Sequence, residues 1–122
     1  MCSQYEALVA ALKALTQGEA PAAVITLPMA ENEWDTRPQY ESYGVVALDF
    51  EADALRGDNQ KVDTAYEGSV DLFSHAKDGA GWVPLITSTL AAYCDGCWSL
   101  NSHMYELETG LFHWEWTFEV IG

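Results

Sequence analysis

Basic residues are scarce in this chain. Lysine and arginine together number 5 against 19 aspartates and glutamates, a formal net charge of −14. Proteins that grip nucleic acid do so largely through cation–phosphate contacts, so this balance opposes such a role. It equally opposes docking on an anionic membrane. Cysteine is sparse too. Cys2, Cys94 and Cys97 are an odd count with one close pair, a poor disulfide framework and one that suits a reducing compartment. No window approaches about 18 uninterrupted apolar residues, and the N-terminus lacks the basic-then-apolar pattern of a signal peptide, so no targeting or spanning segment is expected. GxSxG, a phosphate-binding glycine loop and GxGxxG are all missing.

What is there points to one folded domain. Apolar residues make up 49% and aromatics 12% of 122 residues, enough to bury a core and too short a chain for a second one. Such an acidic balance favours solubility and suits a surface that nucleic acid must pass without sticking.

Periodicity places the elements. Residues 4–15, QYEALVAALKAL, are rich in helix formers, with Tyr5, Leu8, Leu12 and Leu15 on one stripe. Ser3 with Glu6 makes a capping-box pattern, and Gln17-Gly18 is the expected stop. The β-branched run from Ala23 to Leu27, closed by Pro28, reads as a strand. The polar segment AENEWDTRPQYES that follows reads as a long loop or arm. Tyr43–Ala54 and Lys61–Phe73 read as two strands joined by an Arg-Gly-Asp-Asn turn. Within the first, Val46, Leu48 and Phe50 alternate with Ala47, Asp49, Glu51 and Asp53, which assigns one face to a core and the other to carboxylates. Trp82–Tyr93, with Pro84 near its start and Gly96 as its stop, reads as a helix. Cys97–Glu106 and Leu111–Ile121 read as a second hairpin. In its last strand Phe112, Trp114, Trp116, Phe118 and Val120 alternate with His113, Glu115, Thr117 and Glu119, the strongest strand signal in the chain.

These elements predict an α+β fold: an antiparallel sheet of about five strands with two helices packed on its apolar face. The carboxylates of the first hairpin, with Glu115 and Glu119, then fall on the opposite, open face.

Candidate chemistry is thin. Cys94-Asp-Gly-Cys97 has CxxC spacing but sits at a helix C-terminal end, where the helix dipole works against a thiolate. A zinc site needs four ligands, and only a hairpin that brings both His103 and His113 beside the cysteines would supply them. The expectation is packing or capping, with no metal and no cofactor. The exposed carboxylates lack the paired apolar and solvated environments that separate an acid from a base. They also lack a calcium loop of the DxDxDG type. His75 has no nucleophile beside it, and Arg56-Gly57-Asp58 reads as a turn. Trp98, Trp114 and Trp116 with Phe112 and Phe118 read as core rather than a stacking platform for a ligand. No catalytic residue and no enzyme are expected.

Three blocks nevertheless carry a resemblance. YGVVALDFEADALRGDNQK from Tyr43, YEGSVDLFSHAKDG from Tyr66 and SHMYELETGLFHWEWTFEV from Ser102, together with VITLPMAENEW, resemble small tail-assembly proteins of long-tailed phages and prophages, closest to the tail-terminator (tail-completion) type. The resemblance covers most of the chain and rests on sequence pattern, without a catalytic signature; the cysteine pair has no counterpart in it. It implies a homo-oligomer, a hexameric ring at the head-proximal end of the tail. Its partners would be the tail tube protein and a head-completion or connector protein, with DNA passing through unbound and no membrane involved. The protein would reside in the host cytoplasm during assembly and in the virion neck afterwards. On this reading Asp49, Glu51, Asp53, Asp63, Glu67 and Asp71 form an acidic lumen or interface face, and Glu31, Glu33, Trp34 and Tyr40 belong to an inter-subunit arm. The alternatives are another neck or minor tail component, such as a head-closure or connector protein, and, more remotely, a small metal-binding or thiol module.

Overall fold

Period-two alternation needs a sheet, and the helical stripes need a face of that sheet to cover. The computed structural model describes residues 3–18, 24–34, 40–55, 61–94 and 96–121, with side chains at all of these except 3, 49–55, 61–66 and 121. Within them the chain is α+β: helices α1 (Ser3–Lys13) and α2 (Trp82–Cys94), a 3-10 turn at Gly79–Gly81, and seven strands in two sheets.

The main sheet has strand order β3-β4-β5-β7-β6, built from β3 (Met29–Glu31), β4 (Ser42–Leu55), β5 (Lys61–Ser74), β6 (Trp98–Glu106) and β7 (Leu111–Ile121). The hairpins β4–β5 and β6–β7 and the central β5–β7 pair are antiparallel, but β3 runs parallel to β4, with Met29 opposite Gly44 and Glu31 opposite Val46. The sheet is therefore mixed rather than wholly antiparallel. A tight turn would have forced an antiparallel pair; the segment 32–41 is long enough to return the chain to the same end.

The expected strand at Ala23–Leu27 is also redistributed. Residues 21–23 lie outside the described residues, and β2 (Ile25–Thr26) pairs with β1 (Thr16–Gln17) in a separate two-stranded ribbon. That ribbon ends α1 at Lys13, short of Leu15, and Leu27 N–H donates to the Leu15 carbonyl at 3.1 Å to extend it. Gly18 follows the ribbon instead of capping the helix, and Ser3 is the first helical residue rather than a flanking cap.

Both helices pack on one face. Tyr5, Leu8, Val9 and Leu12 of α1, spaced three and four apart, meet Trp82, Ile86, Leu90 and Cys94 of α2 over Val46, Val70, Leu72, Trp114, Trp116, Phe118 and Val120 of the sheet. The aromatic strand β7 is thus core, with Trp116 fully buried and its indole N–H donating to Thr87 Oγ1 at 3.2 Å. Gly68 sits where the sheet is tightest: a Cβ there would lie 2.4 Å from the Ala47 carbonyl oxygen and 2.5 Å from Phe118 Cζ. Asp78 Oδ1 accepts from Ala80 N–H at 2.9 Å to start the 3-10 turn that leads into α2. Gly96, at φ +83°, reverses the chain from α2 into β6 as expected.

Candidate functional site

The face away from the helices collects the polar alternates of β5 and β7. Its most connected residue is His113, near the start of β7. Asp71 reaches it diagonally from β5 and Glu106 diagonally from β6, because the register sets Phe73 and Met104 directly opposite the histidine. Asp71 Oδ1 lies 2.7 Å from His113 Nε2, and Glu106 Oε2 lies 3.1 Å from Nδ1. The hydrogen bond to Asp71, with smaller help from the Asp71 charge and from Glu106, raises the imidazole above its ordinary value of 6.5, although partial burial pulls the other way.

Only the imidazolium can donate to both carboxylates at once. A neutral ring has one N–H, so its second nitrogen would point a lone pair at an oxygen. With both nitrogens engaged, neither is open to take a proton from a substrate, as a general base must. Nor can the three groups converge on one ion, since the carboxylates flank opposite edges of the ring. No cluster of three or more metal-ligating side chains occurs among the described residues.

An aromatic row continues from the histidine. His113 stacks on Phe73 at 4.3 Å, Phe73 stacks on Tyr43 at 5.2 Å, and Trp34 meets Tyr43 edge-on at 6.1 Å. The Trp34 indole N–H donates to the Gly44 carbonyl at 3.1 Å. Two residues of the expected arm, over its described part, contact their own chain. Trp34 is folded onto its own sheet, and Glu31 lies in β3, accepting from the Tyr5 hydroxyl at 3.1 Å. Glu33 is exposed, Tyr40 is half exposed with its ring 6.2 Å from Trp34, and residues 35–39 lie outside the described residues.

The acidic row also needs correction. Glu67 and Asp71 stand on the open face, opposite Glu119 and Glu115 respectively, each half-buried. The β4 carboxylates do not join them in one row. Leu48 pairs with Gly68 but Phe50 pairs with Glu67, so Asp49 is an inserted bulge residue. The insertion shifts the alternation by one. Glu51 then takes the register position of Tyr66 and Asp53 that of Thr64, while Asp63 stays in step with Glu67 and Asp71 along β5. The side chains of Asp49, Glu51, Asp53 and Asp63 lie outside the described ones.

The cysteines separate. Cys94 is buried at the end of α2 among the core residues, and that burial, with Cys97 beside it, pushes its thiol up to about 12. Such a group stays a thiol at neutral pH. Cys97 is exposed, and its carbonyl accepts from Glu119 N–H at 2.8 Å. His103 stacks on Trp114 at 4.5 Å, on the helix-side register, whereas His113 faces the other way. The two histidines cannot meet at one cysteine pair.

The His113 clamp escapes a reading of the sequence because the alternation places His113 beside Glu115 and Asp71 beside Phe73 but does not say that β5 lies against β7. An open cleft of about 380 Å³ lies toward the far end of the same strands, lined by Glu67, Glu119, Cys97 and Trp98 among others. No protein-family model matches the chain, and no curated protein compared with it matches either.

Proposed function

We propose that the chain is a structural assembly subunit of a phage or prophage tail, the ring-forming terminator that caps the tail tube and meets the head-completion complex. One observation carries the reading beyond the sequence resemblance: Glu67 opposite Glu119 on the face left bare by both helices. Like charges set opposite each other on neighbouring strands cost stability. A face so built serves something other than folding, and in a ring it would line a passage that repels DNA phosphates. His113 fastens three strands beneath that face without making a reactive centre.

Electron microscopy of tails assembled with and without the protein tests this. Overlong tubes in its absence are the expected result. Tails of normal length that lack heads would instead favour a connector role, and normal tails carrying heads would overturn both.

A further inference from the structure

The charge on this chain is unevenly spread. From Gly79 to Tyr105, Asp95 is the only aspartate, glutamate, lysine or arginine. That stretch comprises α2 and most of β6, and β6 is the last strand of the sheet order, with its outer edge unpaired among the described residues. Natural edge strands are commonly guarded by lysine, proline, inward charge or a bulge. Here β6 carries a bulge and, at its last residue, Glu106 turned in to His113. The step from Leu100 opposite Trp116 to Ser102 opposite Glu115 makes Asn101 a bulge residue, held by its amide donating to Thr117 Oγ1 at 2.8 Å. Beyond it the edge runs regularly from Ser102 to Glu106. Leu100, Met104 and Tyr105 are 44%, 52% and 50% exposed, and Leu107 in the following turn is 88% exposed.

The opposite side of the sheet has a second free edge. β3 pairs only with Gly44–Val46, so the outer side of β4 from Ala47 to Leu55 has no partner among the described residues. By sequence this edge carries Asp49, Glu51 and Asp53. Two such edges brought together would set carboxylates against carboxylates. The β6 edge is uncharged from Trp98 to Tyr105, with Glu106 turned to His113, and over that length it meets β4 without like-charge repulsion.

We propose that the β6 edge docks a second copy of this chain, through that copy's β4 outer edge, so that the sheet continues from subunit to subunit. The contact is heterologous, each copy offering β6 on one side and β4 on the other, which is the type of contact that builds rings or filaments rather than closed pairs. It deepens the ring reading proposed above by naming the surfaces that meet.

Paired charge variants test it. Sedimentation of the full chain over a wide concentration range is expected to show species heavier than the 13.5 kDa monomer. Leu100→Glu with Tyr105→Glu, both on the helix-side register that β4 gives to Glu51 and Asp53, places carboxylates on the same face as those acids and is expected to weaken association by about tenfold or more. Leu100→Lys with Tyr105→Lys is expected to keep or strengthen it, because the lysines meet acids. Both side chains are well exposed, and Tyr105→Glu alone serves if the double variant melts early. A monomer at every concentration, or a glutamate variant that associates like the parent, overturns the proposal. Equal weakening by glutamate and lysine also overturns it, since that is the signature of β6 pairing with β6. Tail length is a separate readout: a monomeric chain that still controls it would leave the terminator reading standing without this interface. A self-associating chain with no effect on tails would do the reverse.

Discussion

Strand β7 has two faces that differ in nearly every physical respect, although their residues alternate along one backbone. Trp114, Trp116, Phe118 and Val120 turn to the helices and are almost completely buried. His113, Glu115, Thr117 and Glu119 turn the other way, half-buried on a face that no helix covers. The first face draws its stability from apolar area removed from water, which changes little with pH or salt. The second consists of charges and hydrogen bonds whose worth depends on both. The helix side decides whether the domain folds; the open side is where sequence can be set by a task other than folding.

The sharpest break of that contrast is expected from Trp116→Ala. The ring is fully buried, so the variant should lose about 3–5 kcal/mol of stability, a transfer and cavity cost that does not change between acid and alkaline buffer. Urea unfolding at two pH values measures it. A loss below about 1 kcal/mol would mean that the helices do not seal this face. Gly68→Ala tests the same side from the opposite direction, by adding volume. With the Ala47 carbonyl at 2.4 Å from the new Cβ, backbone or Phe118 must move, and the expected loss is about 1–3 kcal/mol in the same assay.

The helix side was also the legible side. Alternation in β7, Pro84 near the start of α2 and the stop at Gly96 are local signals, and β4 to β7 fall close to their expected bounds. What escaped was set by distant or one-residue events. The parallel pairing of β3 with β4 and the antiparallel pairing of β1 with β2 join residues that no local pattern links. The Asp49 bulge is a single inserted residue that leaves the sequence pattern intact while inverting what lies beyond it. His113 was visible as a polar alternate. Its meaning came from Asp71 and Glu106, which reach it from the strands on either side.

That clamp gives the open face a pH signature the helix side lacks. The folded-state value of His113 lies above the ordinary 6.5, so the stability it confers is fully present below that ordinary value. It is lost as pH rises through the raised folded value. His113→Gln should therefore cost about 1–2 kcal/mol near pH 6, the scale of hydrogen bonds to charged partners reduced for partial exposure. The difference from the parent should shrink near pH 9. Unfolding midpoints of both proteins across this range measure it, and a difference that stays constant with pH would mean that the imidazolium is not the form that matters.

The smallest expected effect has the opposite sign and speaks most directly to the purpose of the open face. Glu119 stands opposite Glu67, and the described hydrogen bonds and ion pairs place no lysine or arginine between them. Glu119→Gln removes one member of a like-charged cross-strand pair and should stabilise the domain by about 0.2–1 kcal/mol. The gain should fade at high salt, because screening already weakens the repulsion it relieves. Denaturant midpoints in dilute and in concentrated salt measure both parts. A variant that is more stable yet poorer at controlling tail length would show that the carboxylate is kept against the interest of the fold. A loss of stability on removing the charge would mean that Glu119 has a favourable partner, and the argument from opposed acids to an electrostatic task would then fail.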